Sequence, residues 1–149
     1  MNTIRSPVYN KVLPNDMKAR LEIELQTIAA NYDFSPKVYE VVPVETKLVF
    51  CMERIHAPCL AEVYGEDPRR IPRYVWQQIR DILQILYDEE GIEYIDITPY
   101  NFIERSDGKV YIIDFGDAYY TKQSGSREPN NTFLKDFLDG SYTWNPDFK

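Results

Sequence analysis

One amphipathic stripe followed by a hairpin restricts this chain's fold more than any other feature. Val75, Ile79, Ile82, Leu83 and Leu86 recur at three- and four-residue intervals, the spacing that gathers apolar groups on one side of an α-helix. The pattern predicts a helix from Pro72 to Tyr87, and Gly91 is the residue expected to stop it in the left-handed conformation. Phe102-Ile103-Glu104 and Val110-Tyr111-Ile112-Ile113 then flank Ser106-Asp107-Gly108, which is a strong hairpin signal. Helices and strands in this order make an α+β chain.

The upstream half supports the same class. Pro7 to Leu13 reads as a strand, with Tyr and Val residues between two prolines. Asn15 is the expected N-cap of a helix reaching about Ala30, with Met17, Leu21, Leu25 and Ile28 as its apolar positions. Val38 to Val44 and Lys47 to Met52 read as two strands joined by a hairpin through Val44-Glu45-Thr46. The second is a continuous apolar run and is expected to be buried. Glu53 to His56, with Pro58 after it, reads as a linker. Ser124 to Asn131 reads as a loop, Phe133 to Leu138 as a short helix, and Trp144 as a packing anchor.

Composition narrows the function classes. At 149 residues the chain suits one domain or two small lobes, and it is long enough to bury a core. No apolar run is long enough for a membrane span, and Met1 to Lys11 lacks the apolar core of a signal peptide. Two cysteines, Cys51 and Cys59, make neither a disulfide framework nor a zinc site, so reduced thiols in the cytoplasm are expected. A net charge of -7 and a pI near 4.8 argue against nucleic acid as a partner.

Two polar segments interrupt this apolar pattern. The first is Tyr94-Ile95-Asp96-Ile97-Thr98-Pro99-Tyr100-Asn101, and the second is Ile112-Ile113-Asp114-Phe115-Gly116-Asp117. Asp114 closes an apolar strand and precedes a glycine turn, and the hairpin returns it toward Asp96 and Asn101. Oxygen-bearing side chains on a rigid β scaffold suit a hard cation such as Mg²⁺, with phosphate oxygens completing its shell. An Asp beside such a cation is free to accept a hydroxyl proton. Turn chemistry is the plainer reading of each residue alone, because Asp and Asn cap loops commonly. Asp117 reads as an exposed loop carboxylate. The single histidine, His56, reads as solvent-facing. Arg69, Arg70 and Arg73 form a basic cluster that reads as a solvated face, and Ser124, Ser126 and Thr132 carry ordinary loop composition.

Asp96-Ile97-Thr98-Pro99-Tyr100-Asn101, with Asp114-Phe115-Gly116 beginning thirteen residues after Asn101, resembles the catalytic loop and metal-binding turn of the protein-kinase superfamily. The wording is nearer the atypical RIO-type kinases and the small kinase of the tRNA-threonylcarbamoylation complex. It is also similar to compact kinase-like proteins of large DNA viruses, which would place it in the host cytoplasm. The resemblance implies a two-lobed minimal kinase-like fold, with 1–52 as a reduced N-lobe and 53–149 as a reduced C-lobe. It implies ATP and Mg²⁺ as cofactors, Asp96 as the acceptor-orienting base, and Asn101 and Asp114 as metal ligands. Val8-Tyr9-Asn10-Lys11 is similar to the strand whose lysine holds the phosphates, which gives Lys11 that role. Its ion-pair partner would be Glu22 or Glu24; these point about 200° apart on a helix, and Glu22 is preferred because Leu25 and Ile28 bracket it. Leu48 to Ile55 is similar to the strand-to-hinge passage, with Met52 behind the base and backbone groups of Glu53 and Ile55 at its edge.

The departures are equally specific. Seven residues precede Val8, too few for a glycine-rich phosphate loop, so weak ATP affinity and futile hydrolysis are expected. Tyr94 stands where the family has histidine, and Ile95 where many members have arginine. No Ala-Pro-Glu follows Asp114, and 35 residues remain after it. The leading expectation is an ATP·Mg-dependent phosphotransferase, a minimal atypical Ser/Thr protein kinase that also hydrolyses ATP. Its rival is a pseudokinase module that binds and regulates a partner protein. Either is compatible with a homo-oligomer.

Overall fold

The computed structural model describes residues 7–122 and 128–148. Ser124 and Ser126 lie outside the described residues. The elements run β1 (Val8–Pro14), α1 (Met17–Asn31), β2 (Val38–Val44), β3 (Lys47–Glu53), α2 (Leu60–Tyr64), a single 3-10 turn (Pro68–Arg70), α3 (Arg73–Glu90), β4 (Ile92–Glu93), β5 (Phe102–Glu104), β6 (Val110–Ile112), β7 (Tyr119–Tyr120) and α4 (Thr132–Leu138). This is a small α+β protein. No helix among the described residues is long and apolar enough to cross a membrane.

β1, β3 and β2 form an antiparallel sheet in that order, with Tyr9 opposite Met52 and Lys11 opposite Phe50. The β2–β3 turn is Glu45-Thr46, because Val44 pairs with Lys47. Glu45 takes a φ of 56° there, the positive value that tight hairpins need at a central residue. β3 is not buried along its whole length as its apolar run predicts. Leu48, Phe50 and Met52 are buried and Val49 and Cys51 only half so, since one face of this sheet packs on α1 and the other meets water.

Two details of α1 also differ from the sequence reading. Its N-cap is Asp16, whose carboxylate accepts the Ala19 N–H at 2.8 Å; Asn15 instead accepts from the Arg20 guanidinium. Met17 is 88% exposed, and the buried face is Ala19, Glu22, Leu25, Gln26 and Ala29. Polar Glu22 and Gln26 replace apolar groups on that face, so apolar periodicity alone could not locate it.

α3 follows its sequence pattern closely. Val75, Ile79, Ile82, Leu83 and Leu86 are all buried, and Gly91 caps the helix at φ 65°. Gly91 hands the chain to β4, which pairs with β7. The hairpin β5–β6 turns at Gly108 (φ 87°), where Asp107 accepts the Lys109 N–H. Gln78 of α3 clamps that turn, donating to the Gly108 carbonyl at 2.8 Å and accepting the Val110 N–H at 3.1 Å. Residues 34–36 join the sheet to this hairpin. Ile112 N–H donates to the Phe34 carbonyl, Ser35 Oγ donates to the Ile112 carbonyl, and Gln26 donates to the Pro36 carbonyl.

Residues 54–58 form no helix or strand, as the linker reading expects, except that Glu53 closes β3; α2 and the 3-10 turn follow it and are too short to give a periodic signal. Arg69 pairs with Asp67, and Arg69, Arg70 and Arg73 are exposed, as is His56. Trp144 packs on Trp76 with ring centroids 4.5 Å apart; Phe137 and Tyr142 lie 5.8 and 6.0 Å from the same indole. Trp76 therefore staples α3 to α4 and to the C-terminal segment. Trp76→Ala is expected to cost about 3–5 kcal/mol, read as a lowered denaturation midpoint. A change below about 1 kcal/mol would show that the aromatic cluster is not a principal part of the core.

Candidate functional site

Lys11, Asn101 and Asp114 line one cleft of about 430 Å³, together with Met52, Glu53 and Ile55. Its upper wall is the underside of β1 and β3, and its lower wall is the β5–β6 hairpin and the chain on either side of it. Lys11 reaches this side because it alternates with exposed Val12 along the strand.

Lys11 donates to Glu22 at 2.5 Å, and its ammonium lies 3.9 Å from Asp114 Oδ1. Glu24 points elsewhere and accepts from the Tyr120 hydroxyl at 2.6 Å. Glu22 is only 7% exposed, so the ammonium is what makes its burial tolerable. Burial pulls the Lys11 pKa down, but the Glu22 hydrogen bond and the charges of Asp114 and Glu22 outweigh it. The ammonium is held above the ordinary lysine value.

Asp114 sits two residues past the end of β6, where Gly116 N–H donates to its Oδ1 at 2.8 Å. Gly116 is where two site carboxylates and the backbone meet. A Cβ there would lie 3.1 Å from Asp114 Oδ1 and 3.3 Å from Glu22 Oε1. The Asp114 carbonyl accepts from the hydroxyl of Tyr94 at 2.6 Å. Tyr94 is 1% exposed, and its ring packs edge-on against Phe102 and Phe115. Burial first, and then the charges of Asp96, Asp114 and Asp117, push the phenol far above its usual pKa. It is a fixed neutral donor that locks the turn holding Asp114.

Asn101 is buried and donates its Nδ2 to the backbone carbonyl of Asp96 at 2.9 Å. That leaves the amide oxygen for another partner. Asp96 is half-buried. Burial raises its pKa, Asn101 partly counters this, and repulsion from Asp117 and Asp114 adds to the rise. Asp117 is exposed, as read from the sequence, yet its charge reaches Asp96 and adds to the rise.

The loop carrying Asp96 is pinned from a distant part of the chain. Asn145, 3% exposed, donates its Nδ2 to the Ile95 carbonyl at 2.8 Å and its N–H to the Ile97 carbonyl at 2.9 Å. Glu93, fully buried, accepts the N–H groups of Asn130 and Asn131 at 3.1 and 2.9 Å and the Tyr119 hydroxyl at 3.3 Å. Neither residue stands out in sequence, because a lone Asn and a lone Glu acquire these roles only through contacts with remote backbone.

Met52 is 4% exposed and its sulfur faces Gln26 Nε2 at 3.4 Å. The Glu53 N–H donates to the Lys37 carbonyl at 2.8 Å, so any edge contact from Glu53 to a bound ring falls to its carbonyl. Among the described residues no three His, Cys, Asp or Glu side chains converge as a group able to hold a metal by themselves. The donors present are one carboxylate, Asp114, and one amide oxygen, Asn101. Such a pair fits a Mg²⁺ ion that takes its remaining ligands from phosphate and water. It does not fit a site built wholly from protein. Compared with known proteins, the chain matches no protein-family model and no curated protein sequence.

Proposed function

We propose that the chain is a minimal kinase-like phosphotransferase that binds ATP and Mg²⁺ in this cleft, with 1–52 and 53–149 as its two reduced lobes. The observation that carries the reading is the convergence of Lys11, braced by Glu22, on Asp114 at 3.9 Å beside Asn101. A lone ammonium next to a half-exposed carboxylate and an amide oxygen is a set of partners for a polyphosphate and its counter-ion. Met52, Glu53 and Ile55 would receive the base, Lys11 the phosphates, and Asn101 and Asp114 the metal. A bound Mg²⁺ would supply charge neutralisation on the phosphate oxygens. Asp96, at the end of the same loop as Asn101, would orient the acceptor hydroxyl and take its proton. The raised pKa of Asp96 suits a group that exchanges protons. Catalysis of this type is mainly positioning, which the buried anchors Tyr94 and Asn145 provide.

The test is thermal denaturation with ATP, with and without Mg²⁺, paired with an assay for released ADP. ATP at a hundred times its dissociation constant should add about 2.7 kcal/mol of stability, and only with Mg²⁺ present. ADP release without an acceptor is expected as well. No stabilisation at millimolar ATP·Mg²⁺ would end the reading. Stabilisation with no turnover under any acceptor would favour the regulatory binding module instead.

A further inference from the structure

From Pro68 to Arg80 the chain has four arginines and no acidic residue, although its net charge is -7. Arg69, Arg70 and Arg73 are exposed where the 3-10 turn runs into α3. Their placement works against the helix. A helix carries partial positive charge at its N-terminal end and partial negative charge at its C-terminal end. α3 nevertheless has Arg73 and no acid in its first turn, and Asp88, Glu89 and Glu90 with no base in its last. Neighbouring acids do not take up these arginines either. Asp67 is held by Arg69 alone, through the backbone N–H, Nε and Nη2 at 3.0, 3.1 and 3.0 Å. Glu66 accepts from the Tyr100 hydroxyl, and Glu104 accepts from those of Tyr64 and Tyr74. Among the described residues Arg70 and Arg73 enter no ion pair. Tyr74, next to Arg73, is 51% exposed. Exposed Arg and Tyr side by side are what the centres of protein interfaces are enriched in.

We propose that this arginine corner, Arg70 and Arg73 with Tyr74, docks a short acidic segment of a partner protein. Guanidinium groups grip carboxylates through paired hydrogen bonds, and the tyrosine ring adds apolar contact. Charge limits the length of the segment. The arginines occupy one end of α3 and the rest of the chain is acidic, so a long polyanion such as nucleic acid is repelled beyond the corner. A few acidic residues are neutralised within it. The corner also connects to the mouth of the cleft. The Ala61 N–H of α2 donates to the Pro99 carbonyl at 2.9 Å, and Tyr100, which lines the cleft, donates to Glu66 beside Asp67. A partner held there sits next to the loop that carries Asp96 and Asn101. None of the three docking residues lines the cleft, so the inference stands whatever the cleft binds.

The experiment is fluorescence anisotropy of a labelled oligo-aspartate peptide titrated with the full chain, in the absence of nucleotide. A single-stranded oligonucleotide of equal charge is titrated in parallel. Wild type is compared with Arg70→Glu/Arg73→Glu and with Lys18→Glu/Lys47→Glu, which changes the net charge equally at exposed lysines of α1 and β3. Wild type should bind the peptide, more weakly as salt rises. The arginine variant should lose about tenfold or more in affinity, and the lysine variant should stay within about twofold of wild type. An acid in the first turn suits the helix, so the arginine variant should melt at or above the wild-type midpoint, which separates lost docking from lost fold. Wild type that ignores the peptide would overturn the proposal, as would equal losses in both variants or a lowered midpoint in the arginine variant. An oligonucleotide bound as tightly as the peptide would give the surface to nucleic acid instead. Self-association of wild type that the arginine variant abolishes would give it to the acidic end of α3 in a second copy.

Discussion

Asp114→Ala is expected to lower Mg²⁺-dependent ATP turnover by a factor of about a thousand or more while the protein stays folded. On the proposed reading, the rate effect follows from removing the carboxylate that would hold the metal beside Lys11 and Asn101, where charge stabilisation of the transferring group would be concentrated. The fold is spared because the Asp114 side chain is 41% exposed and its bonded partner is the nearby Gly116 N–H. Losing that bond should cost no more than about 1 kcal/mol. Lys11 keeps Glu22, and Tyr94 still holds the backbone through the Asp114 carbonyl. Turnover and denaturant melts on the same preparation check both halves. Wild-type turnover would remove Asp114 from the chemistry, and an unfolded variant would make its role structural.

The second large effect belongs to the Lys11–Glu22 pair. Lys11→Met leaves a nearly buried carboxylate, its side chain 9% exposed, without its cation. Breaking such a pair from one side costs about 3 kcal/mol, whereas replacing both partners by apolar groups is often close to neutral. Lys11→Met should therefore be clearly less stable than Lys11→Met/Glu22→Leu, and both should lose turnover. The pH dependence has a definite sign. Lys11 has its pKa raised on folding, after its partners overcome desolvation. The pair's stability is thus full below the unfolded lysine pKa and is lost as pH rises through the raised value. Wild-type stability measured against the double variant should fall on the alkaline side and stay level between about pH 6 and 9. Equal stability of the single and double variants would mean that Glu22 finds another partner and the pair is not a structural unit.

The parts of this protein that were legible from residues alone are those whose cause is local. The α3 stripe repeats over about three turns and the helix ends on a glycine that adopts positive φ, so its period and its stop are both written in neighbouring residues. The Asp107-Gly108 turn and the strands around it are equally local. Helix geometry required that only one of Glu22 and Glu24 face Lys11, whereas the pairing itself came from the kinase-like resemblance and the preference for Glu22 from its Leu25 and Ile28 neighbours. Cap choice was not legible, since adjacent Asn15 and Asp16 are both good caps and the strand's exit direction selects between them. Nor was the burial of β3, where an apolar run conceals that only one face meets α1.

Asp96, Asn101 and Asp114 announce themselves because polar residues at strand ends and loops are conspicuous against an apolar background. Glu93 and Asn145 do not. An acid after a helix and an asparagine near a chain end are ordinary in one dimension. Their significance comes from what the fold places opposite them: the N–H groups of Asn130 and Asn131 on a carboxylate, and the carbonyls of Ile95 and Ile97 on an amide. The sequence by itself determined the longer helices, the hairpins and the polar segments, because periodicity and turn chemistry act between near neighbours. Tertiary structure alone decided which of those groups share a cleft, because burial and hydrogen bonding depend on distance in space, and residues 11, 22 and 114 come together only once the sheet is docked on the hairpin.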